Sequence, residues 1–330
     1  MTRQFSVIEL CCGAGGMALG FDNIGFIHTL LVDKDKDCIA TLVKNRPDWN
    51  VVHDDINQLN LTPYFGKVDV LSAGLPCQAF SEAGLRKGFE DVRGNIFFSF
   101  SNLVQQVYPR IIILENVRGL LTHDKGKTIT KISETLSNLN YKVEYQLLNA
   151  NNFKVPQTRQ RVFIIATRQD LNISPSFPNL FFPLVTLREA LTNCPESIGA
   201  SYSEKKKEVL QLIPPGGNWR NLPFEIQTEY MKKSLYSGGG KTGIAKRLHW
   251  DKPSPTLTCS PSQNQTERCH PEEIRPLTIR EYARIQTFPD KWEFTGSIRS
   301  QYRQIGNACP VKLAEVIAIE VKKLLDKSYE

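Results

Sequence analysis

Phe5-Ser6-Val7-Ile8-Glu9-Leu10-Cys11-Cys12-Gly13-Ala14-Gly15-Gly16 is an apolar strand running straight into a glycine-rich turn, and the turn opens a helix through Phe21. Glycines let a backbone approach a ligand at a helix N-terminus, where unpaired N–H groups gather. A tight turn that holds nothing would read the same way. The next segments of the chain place the turn in a fold. Ile27 to Val32 reads as a second strand and Asp35 to Lys44 as a helix. Residues 68–73, 110–115 and 161–167 are further short apolar runs, separated by helix-length or loop segments. Strand–helix alternation of this kind predicts an α/β fold, a doubly wound and mostly parallel sheet.

From about residue 170 the texture changes. Pro175, Pro178, Pro183, Pro214-Pro215-Gly216-Gly217 and Gly238-Gly239-Gly240 punctuate a stretch without periodicity, which reads as a second, smaller, irregular domain. Order returns after Pro276, where Thr278 and Glu281 have the spacing of a capping box. Pro310 to Lys327 reads as an amphipathic helix. The expected division is a first domain over 1–182 completed by a C-terminal helix over 300–330, an irregular domain over 183–274, and a hinge with a helix over 275–299.

The 330 residues are 41% hydrophobic and 9% aromatic, enough for a real core. No run approaches the roughly 18 apolar residues of a membrane span. Met1-Thr2-Arg3-Gln4 leads directly into the first strand, so the expected compartment is the cytoplasm. Eight cysteines include no CxxC pair, which predicts reduced thiols and no metal site. The net charge of +7 is uneven: residues 1–60 hold five Lys/Arg against eight Asp/Glu, whereas 205–253 hold ten against four. Such a basic stretch is either a solvated face or a surface for phosphate.

Asp33 closes the second strand, where a carboxylate can accept ribose hydroxyls. Asp54-Asp55-Ile56 comes after the third strand and offers an acceptor for an adenine amino group. Each of these is also an ordinary loop acid. Together with the turn they favour an adenosine-containing cofactor, without separating NAD from S-adenosylmethionine. Gly74-Leu75-Pro76-Cys77-Gln78-Ala79-Phe80-Ser81 puts a cysteine at a strand's C-terminal end, where α/β folds carry out chemistry. An isolated cysteine is ordinarily an inert core filler. Here Glu115-Asn116-Val117 ends the next strand, and Gln157-Thr158-Arg159-Gln160-Arg161 brings two guanidinium groups.

These motifs, in this order, resemble the cytosine-5 DNA methyltransferases of bacterial restriction–modification systems over nearly the whole chain. The resemblance continues through Arg275-x-Leu277-Thr278-x-Arg280-Glu281-x-Ala283-Arg284-x-Gln286-x-Phe288-Pro289-Asp290 and ends with Gly306-Asn307-Ala308-Cys309-Pro310. It implies the S-adenosylmethionine-dependent methyltransferase fold and transfer of that cofactor's methyl group to carbon 5 of cytosine. Cys77 is then the nucleophile and Glu115 the acid, with Arg161 on the cytosine carbonyl oxygen and Arg159 ordering the site. The cofactor residues it implies are Cys11, Gly13, Ala14, Gly15, Gly16, Asp33, Asp55, Ile56, Pro76, Ile96 and Asn307. Three positions depart from the family: Cys11 stands for a phenylalanine, Asp33 for a glutamate and Cys309 for a valine.

The chemistry fits those residue types. Carbon 5 becomes nucleophilic only after a thiolate adds to carbon 6 and breaks the ring's aromaticity, and thiols are strong nucleophiles near neutral pH. The target atom is buried in a stacked duplex, so the base must be flipped out. The resemblance makes residues 84–98 a loop that closes over it. It also makes 183–274 a target-recognition domain, marked by Thr256-Leu257, with Gln78, Ser81, Thr256, Lys246 and Arg247 as DNA contacts. Lys241 and Lys252 join the candidate phosphate contacts, and Gln263-Asn264-Gln265 could reach base edges. The implied partners are double-stranded DNA and a cognate restriction endonuclease, for a bacterial, nucleoid-associated monomer. The same chemistry on transfer RNA, a nucleotide-dependent oxidoreductase and a silent DNA-binding module are the alternatives.

Overall fold

The computed structural model describes residues 3–75, 96–179, 181–236, 242–263 and 265–329. They divide into two compact units: residues 1–153, 160–182 and 308–330 in the first, and 154–159 with 183–307 in the second.

The first unit is built on β1 (Ser6–Leu10), α1 (Gly16–Asn23), β2 (Ile27–Asp33), α2 (Lys36–Asn45), β3 (Val51–His53) and β4 (Val70–Ala73). It continues with α3 (Ile96–Val107), β5 (Ile111–Val117), α4 (Lys127–Asn138) and β6 (Tyr141–Asn149), then passes β7 (Gln157–Thr158) to β8 (Gln160–Arg168). Seven of these strands form one sheet in the order β3-β2-β1-β4-β5-β8-β6. The first five are parallel, and β8 and β6 complete the sheet antiparallel to their neighbours.

Ile111 to Leu114 of β5 are buried at every position, as a strand covered on both faces must be. Helix α3 buries Phe97, Phe100, Ser101, Leu103, Val104 and Val107, the helical spacing that puts one apolar stripe on the sheet. That stripe joins Ile8, Leu10, Leu71, Ile112, Leu114 and Ile164 in the main core. The sequence pattern does not anticipate β6. It is the outer strand: Lys142 and the run Glu144 to Gln146 are exposed, and only Tyr141 and Leu148 are buried.

The second unit contains α5 (Leu187–Leu191), α6 (Glu204–Gln211), α7 (Phe224–Met231), β9 (Ser254–Pro255), α8 (Ile279–Ile285) and α9 (Ile298–Asn307). β9 pairs with β7 in a two-stranded ladder. A separate core gathers Tyr202, Leu210, Ile213, Leu222, Ala245 and Cys269. The capping box is present: Glu281 N–H donates to the Thr278 hydroxyl, and Thr278 N–H donates to the Glu281 carboxylate at 2.7 Å. The expected 300–330 helix is two helices. Pro310 caps α10 (Val311–Lys327), and its ring, which fixes φ and removes a donor, keeps α9 from continuing. Only residues from 308 onward belong with the sheet, and 275–307 belong with the second unit. Among the described residues no helix is long and apolar enough to cross a membrane.

Candidate active site

Because β1 to β5 are parallel, their carboxyl ends share one edge of the first unit's sheet. The chain runs outward from β1 to β2 and β3 on one side and to β4 and β5 on the other, making β1/β4 the switch point where open α/β sheets bind ligands. The turn after β1, Asp33, Asp55, Leu75 and Glu115 all fall at this edge. β8 runs the opposite way, so its first residues return there, with Arg161 in register with Val117.

The turn is tied to β2 at two points. Cys12 N–H donates to the Val32 carbonyl at 3.1 Å, and Gly13 N–H donates to Asp33 Oδ2 at 2.7 Å. Asp33 Oδ1 accepts the Asp35 N–H at 2.8 Å. The carboxylate therefore braces turn and helix start and still has lone pairs left for a ligand. Burial pushes its pKa up, against the lowering effect of these two bonds. Gly15 caps α1 at φ +84°, and Gly13 stands at φ +54° with nothing within 4 Å of where a side chain would begin. Ala14 and Gly16 are buried. Asp55 Oδ1 accepts both the backbone and side-chain N–H groups of Asn57, and Ile56 is buried in the core against which Ile96 packs.

Gly13, open where a side chain would begin, and the strand-end carboxylates of Asp33 and Asp55 fit an adenosine-type cofactor. Cys11 is partly buried at φ +53°, and burial, followed by the charge of Asp33, pushes its thiol up to about 12. It stays an uncharged thiol.

At the end of β5, Arg161 Nε lies 2.7 Å from Glu115 Oε1, with both side chains almost wholly buried. The cross-strand register delivers this pair, since Glu115 and Arg161 flank the Asn116–Val162 match in the ladder. Asn116, quoted in the sequence only as part of a motif, is buried and donates from Nδ2 to the Leu75 carbonyl at 2.9 Å. Its Oδ1 accepts the Val117 N–H. The end of β5 thus fastens the residue from which the chain enters Pro76-Cys77. Pro76, Cys77, Gln78 and Ser81 lie outside the described residues, as do 84–95 of the expected loop, Lys241 and Asn264.

Arg159, Thr256, Lys246, Arg247 and Asn307 belong to the second unit. Arg159 is fully buried and donates to the carbonyls of Leu257 at 3.2 Å and Gly306 at 2.9 Å. Gln157 donates to Gln286 and accepts the Leu257 N–H, each at 2.8 Å. Gln286 donates in turn to the Ile305 carbonyl. The motifs around 157, 257, 286 and 306 form one buried hydrogen-bond network, and Arg159 takes part in it. Asn307 Oδ1 accepts from the Cys259 thiol at 3.0 Å, and the Thr256 hydroxyl donates to the Thr158 carbonyl. Lys246 donates to the Gly216 carbonyl.

Arg247 is placed differently from the sequence expectation. Its guanidinium is buried and donates to the carbonyls of Ile213, Pro271 and Glu272, so it staples loops rather than facing phosphate.

The family model for C-5 cytosine-specific DNA methylases matches residues 5–323. The chain belongs to that family. Among its relatives, the type II methyltransferase M.Eco47II of Escherichia coli is 51% identical over 333 residues, 98% of this chain and 80% of that one. M.Sau96I of Staphylococcus aureus is 48% identical over 96% of this chain and 75% of its own. The crystal structure of an E. coli prophage protein described as a putative DNA modification methyltransferase superposes with a TM-score of 0.71 at 26% identity, covering 98% and 99% of the two chains. A Spodoptera frugiperda DNMT2 variant, at 20% identity and TM-score 0.63 over 99% and 100%, shares the fold. Cytosine-5 DNA methylation, rather than nucleotide-dependent redox chemistry or silent DNA binding, is the activity of this methylase family.

Proposed function

We infer that this methylase transfers the methyl group of S-adenosylmethionine to carbon 5 of a flipped-out cytosine in a short duplex target. The observation that carries the reading is the Glu115–Arg161 pair, set at the sheet edge beside the entry to Pro76-Cys77. The type II names of its relatives support pairing with a restriction endonuclease.

Asp33 would hold the cofactor's ribose and Asp55 its adenine amine, with Ile56 and Ile96 as apolar walls. S-adenosylmethionine, when bound, supplies the methyl group as an electrophile. The Cys77 thiolate forms a bond to carbon 6 of cytosine, and the displaced ring electrons make carbon 5 an enamine nucleophile. Glu115 delivers a proton to ring nitrogen 3 as charge develops there. Arg161 holds Glu115 in place and offers its remaining donors to the carbonyl oxygen at carbon 2. Once carbon 5 carries the methyl group, its proton passes to water, nitrogen 3 returns its proton to Glu115, and the bond to Cys77 breaks with its electrons on sulfur, so aromaticity returns. Residues 183–274 supply target recognition, with Lys246, Lys252 and Thr256 on phosphates.

A duplex target bearing 5-fluorocytosine tests this. Fluorine cannot leave as a proton does, so the protein should be trapped as a denaturation-resistant adduct that requires S-adenosylmethionine. Cys77→Ser should abolish trapping. An adduct that persists in Cys77→Ser would place the nucleophile elsewhere.

A further inference from the structure

The segment leaving β3, residues 54–61, has neither strand nor helix of its own, so its course depends on what holds it. It begins where Asp54 N–H donates to the Asp33 carbonyl at 3.2 Å, and α3 grips it at two further points. Gln106 Oε1 accepts the Leu61 N–H at 2.7 Å, and the Ser99 hydroxyl donates to Asn57 Oδ1 at 2.5 Å. Helix α3 is itself fixed, because Phe97, Phe100, Leu103, Val104 and Val107 are packed into the main core. Both bonds therefore run to a rigid support.

With Oδ1 committed to Ser99, the Asn57 amide has one orientation. Its Nδ2 donates to Asp55 Oδ1 at 2.7 Å, and the Asn57 backbone N–H donates to the same oxygen at 2.9 Å. The backbone bond is local, a turn that any aspartate two residues before a free N–H can make. The side-chain bond is not local, since Ser99 sets it from 42 residues along the chain. Two donors on one oxygen fix the torsions of the carboxylate. Asp55 Oδ2 has no hydrogen-bond partner among the described residues. A carboxylate accepts through both oxygens, so Oδ2 keeps its acceptor capacity in a fixed direction.

We propose that Asn57, held by Ser99, is a positioning residue for the cofactor's adenine: it fixes the Asp55 carboxylate so that Oδ2 receives the adenine N6 amine. The inference rests on the reading of Asp55 as the acceptor for that amine. A fixed acceptor favours an amine donor and disfavours a keto oxygen at the same ring position, so it separates adenosine from inosine. A carboxylate already held in place spares the ordering cost that a freely turning side chain meets on binding. Asn57 acts only through Asp55.

The test is calorimetric and compares S-adenosylhomocysteine with its deaminated counterpart, S-inosylhomocysteine. The unsubstituted protein should prefer the adenosyl ligand, and Asp55→Asn, whose amide can donate to a keto oxygen, should lose that preference. Asn57→Ala and Ser99→Ala should each bind the adenosyl ligand about 3-fold to 10-fold more weakly, the effect of leaving one side chain to be ordered on binding. Binding of the inosyl ligand should change little, so the ratio of the two dissociation constants falls. Neither Asn57 nor Ser99 is part of the buried core, and circular dichroism checks that both variants fold. A merely structural role would weaken both ligands alike. Equal losses for the two ligands, or the parent's ratio in either variant, would overturn the proposal. An unsubstituted protein with no preference, or an Asp55→Asn protein that keeps it, removes the adenine reading of Asp55 and this inference with it.

Discussion

The carbonyl oxygen of Cys309 lies 2.1 Å from where a Cβ on Gly16 would stand, and one turn along, a Cβ on Gly20 would meet the Ala314 Cβ at 2.4 Å. α1 and the start of α10 therefore touch backbone to backbone, and no side chain fits between them. The sequence assigns Gly16 to ligand approach, yet packing alone already requires glycine there. Gly16→Ala must push the Cys309 segment away, because the obstacle is main chain rather than a flexible side chain. The expected cost is about 1–3 kcal/mol, the usual range for overpacking a tight contact. Chemical denaturation followed by circular dichroism would read it, and an unchanged midpoint would refute the packing argument.

Glu9 offers a pH prediction. It is buried in β1 with no hydrogen-bond partner for Oε2 among the described residues, and burial, followed by the charge of Asp33, holds its carboxyl well above the ordinary value of 4.5. The folded chain therefore keeps a proton that the unfolded chain releases. Glu9 contributes its full stability below about 4.5, and that contribution is lost as pH rises toward the folded pKa. Glu9→Gln, neutral at every pH, should remove this decline. The difference in unfolding free energy between Glu9→Gln and the parent should shift in the variant's favour between acidic and neutral pH. A difference that does not change with pH would show that Glu9 titrates normally.

The elements that the sequence exposes are those with one strong periodicity. β1, α1, β2, α2 and α10 are legible because their apolar spacing or glycine turn is local. β6 is not, because an outer strand with Lys142, Glu144 and Tyr145 facing out carries no continuous apolar run. β8 is legible as a strand but not in its direction, since pairing with β5 is a long-range choice. At the site, Asp33, Asp55 and Glu115 stand out by their position at strand ends. Arg247 does not, because the carbonyls of Ile213, Pro271 and Glu272 that bury it are 24 or more residues away in the chain. Asn57 reads as an ordinary loop amide, and only the fold brings Ser99 to it.

Arg161 carries the sharpest catalytic prediction. Its Nε pairs with Glu115, and lysine cannot reproduce a planar fork that serves a carboxylate and a carbonyl together. Arg161→Lys should therefore lower the single-turnover methylation rate by about 10²–10³-fold, the usual effect of removing one oriented donor. Affinity for S-adenosylmethionine, measured by calorimetry, should change little, because Arg161 lies on β8 rather than on the glycine turn or beside Asp33. A variant with near-normal turnover would exclude Arg161 from the reacting centre.

Arg247 and Lys252 are near neighbours in sequence, and the structure separates their roles. Arg247 is buried and gives its N–H groups to three backbone carbonyls. Lys252 is exposed, and it contributes to holding the Lys246 amine below the usual lysine range, behind the larger effect of burial. A group of cations that repel one another is stabilised by an incoming phosphate, which releases counterions from the duplex. Lys252→Gln should therefore weaken binding to duplex DNA and reduce the slope of log affinity against log salt by about one, as expected for one lost phosphate contact. Arg247→Gln should leave that slope where it was and lower unfolding stability instead, because it leaves buried carbonyls without donors. Fluorescence anisotropy across a salt series, paired with denaturation of both variants, separates the two roles. A reduced salt slope in Arg247→Gln with unchanged stability would return that residue to the DNA surface that the sequence suggested.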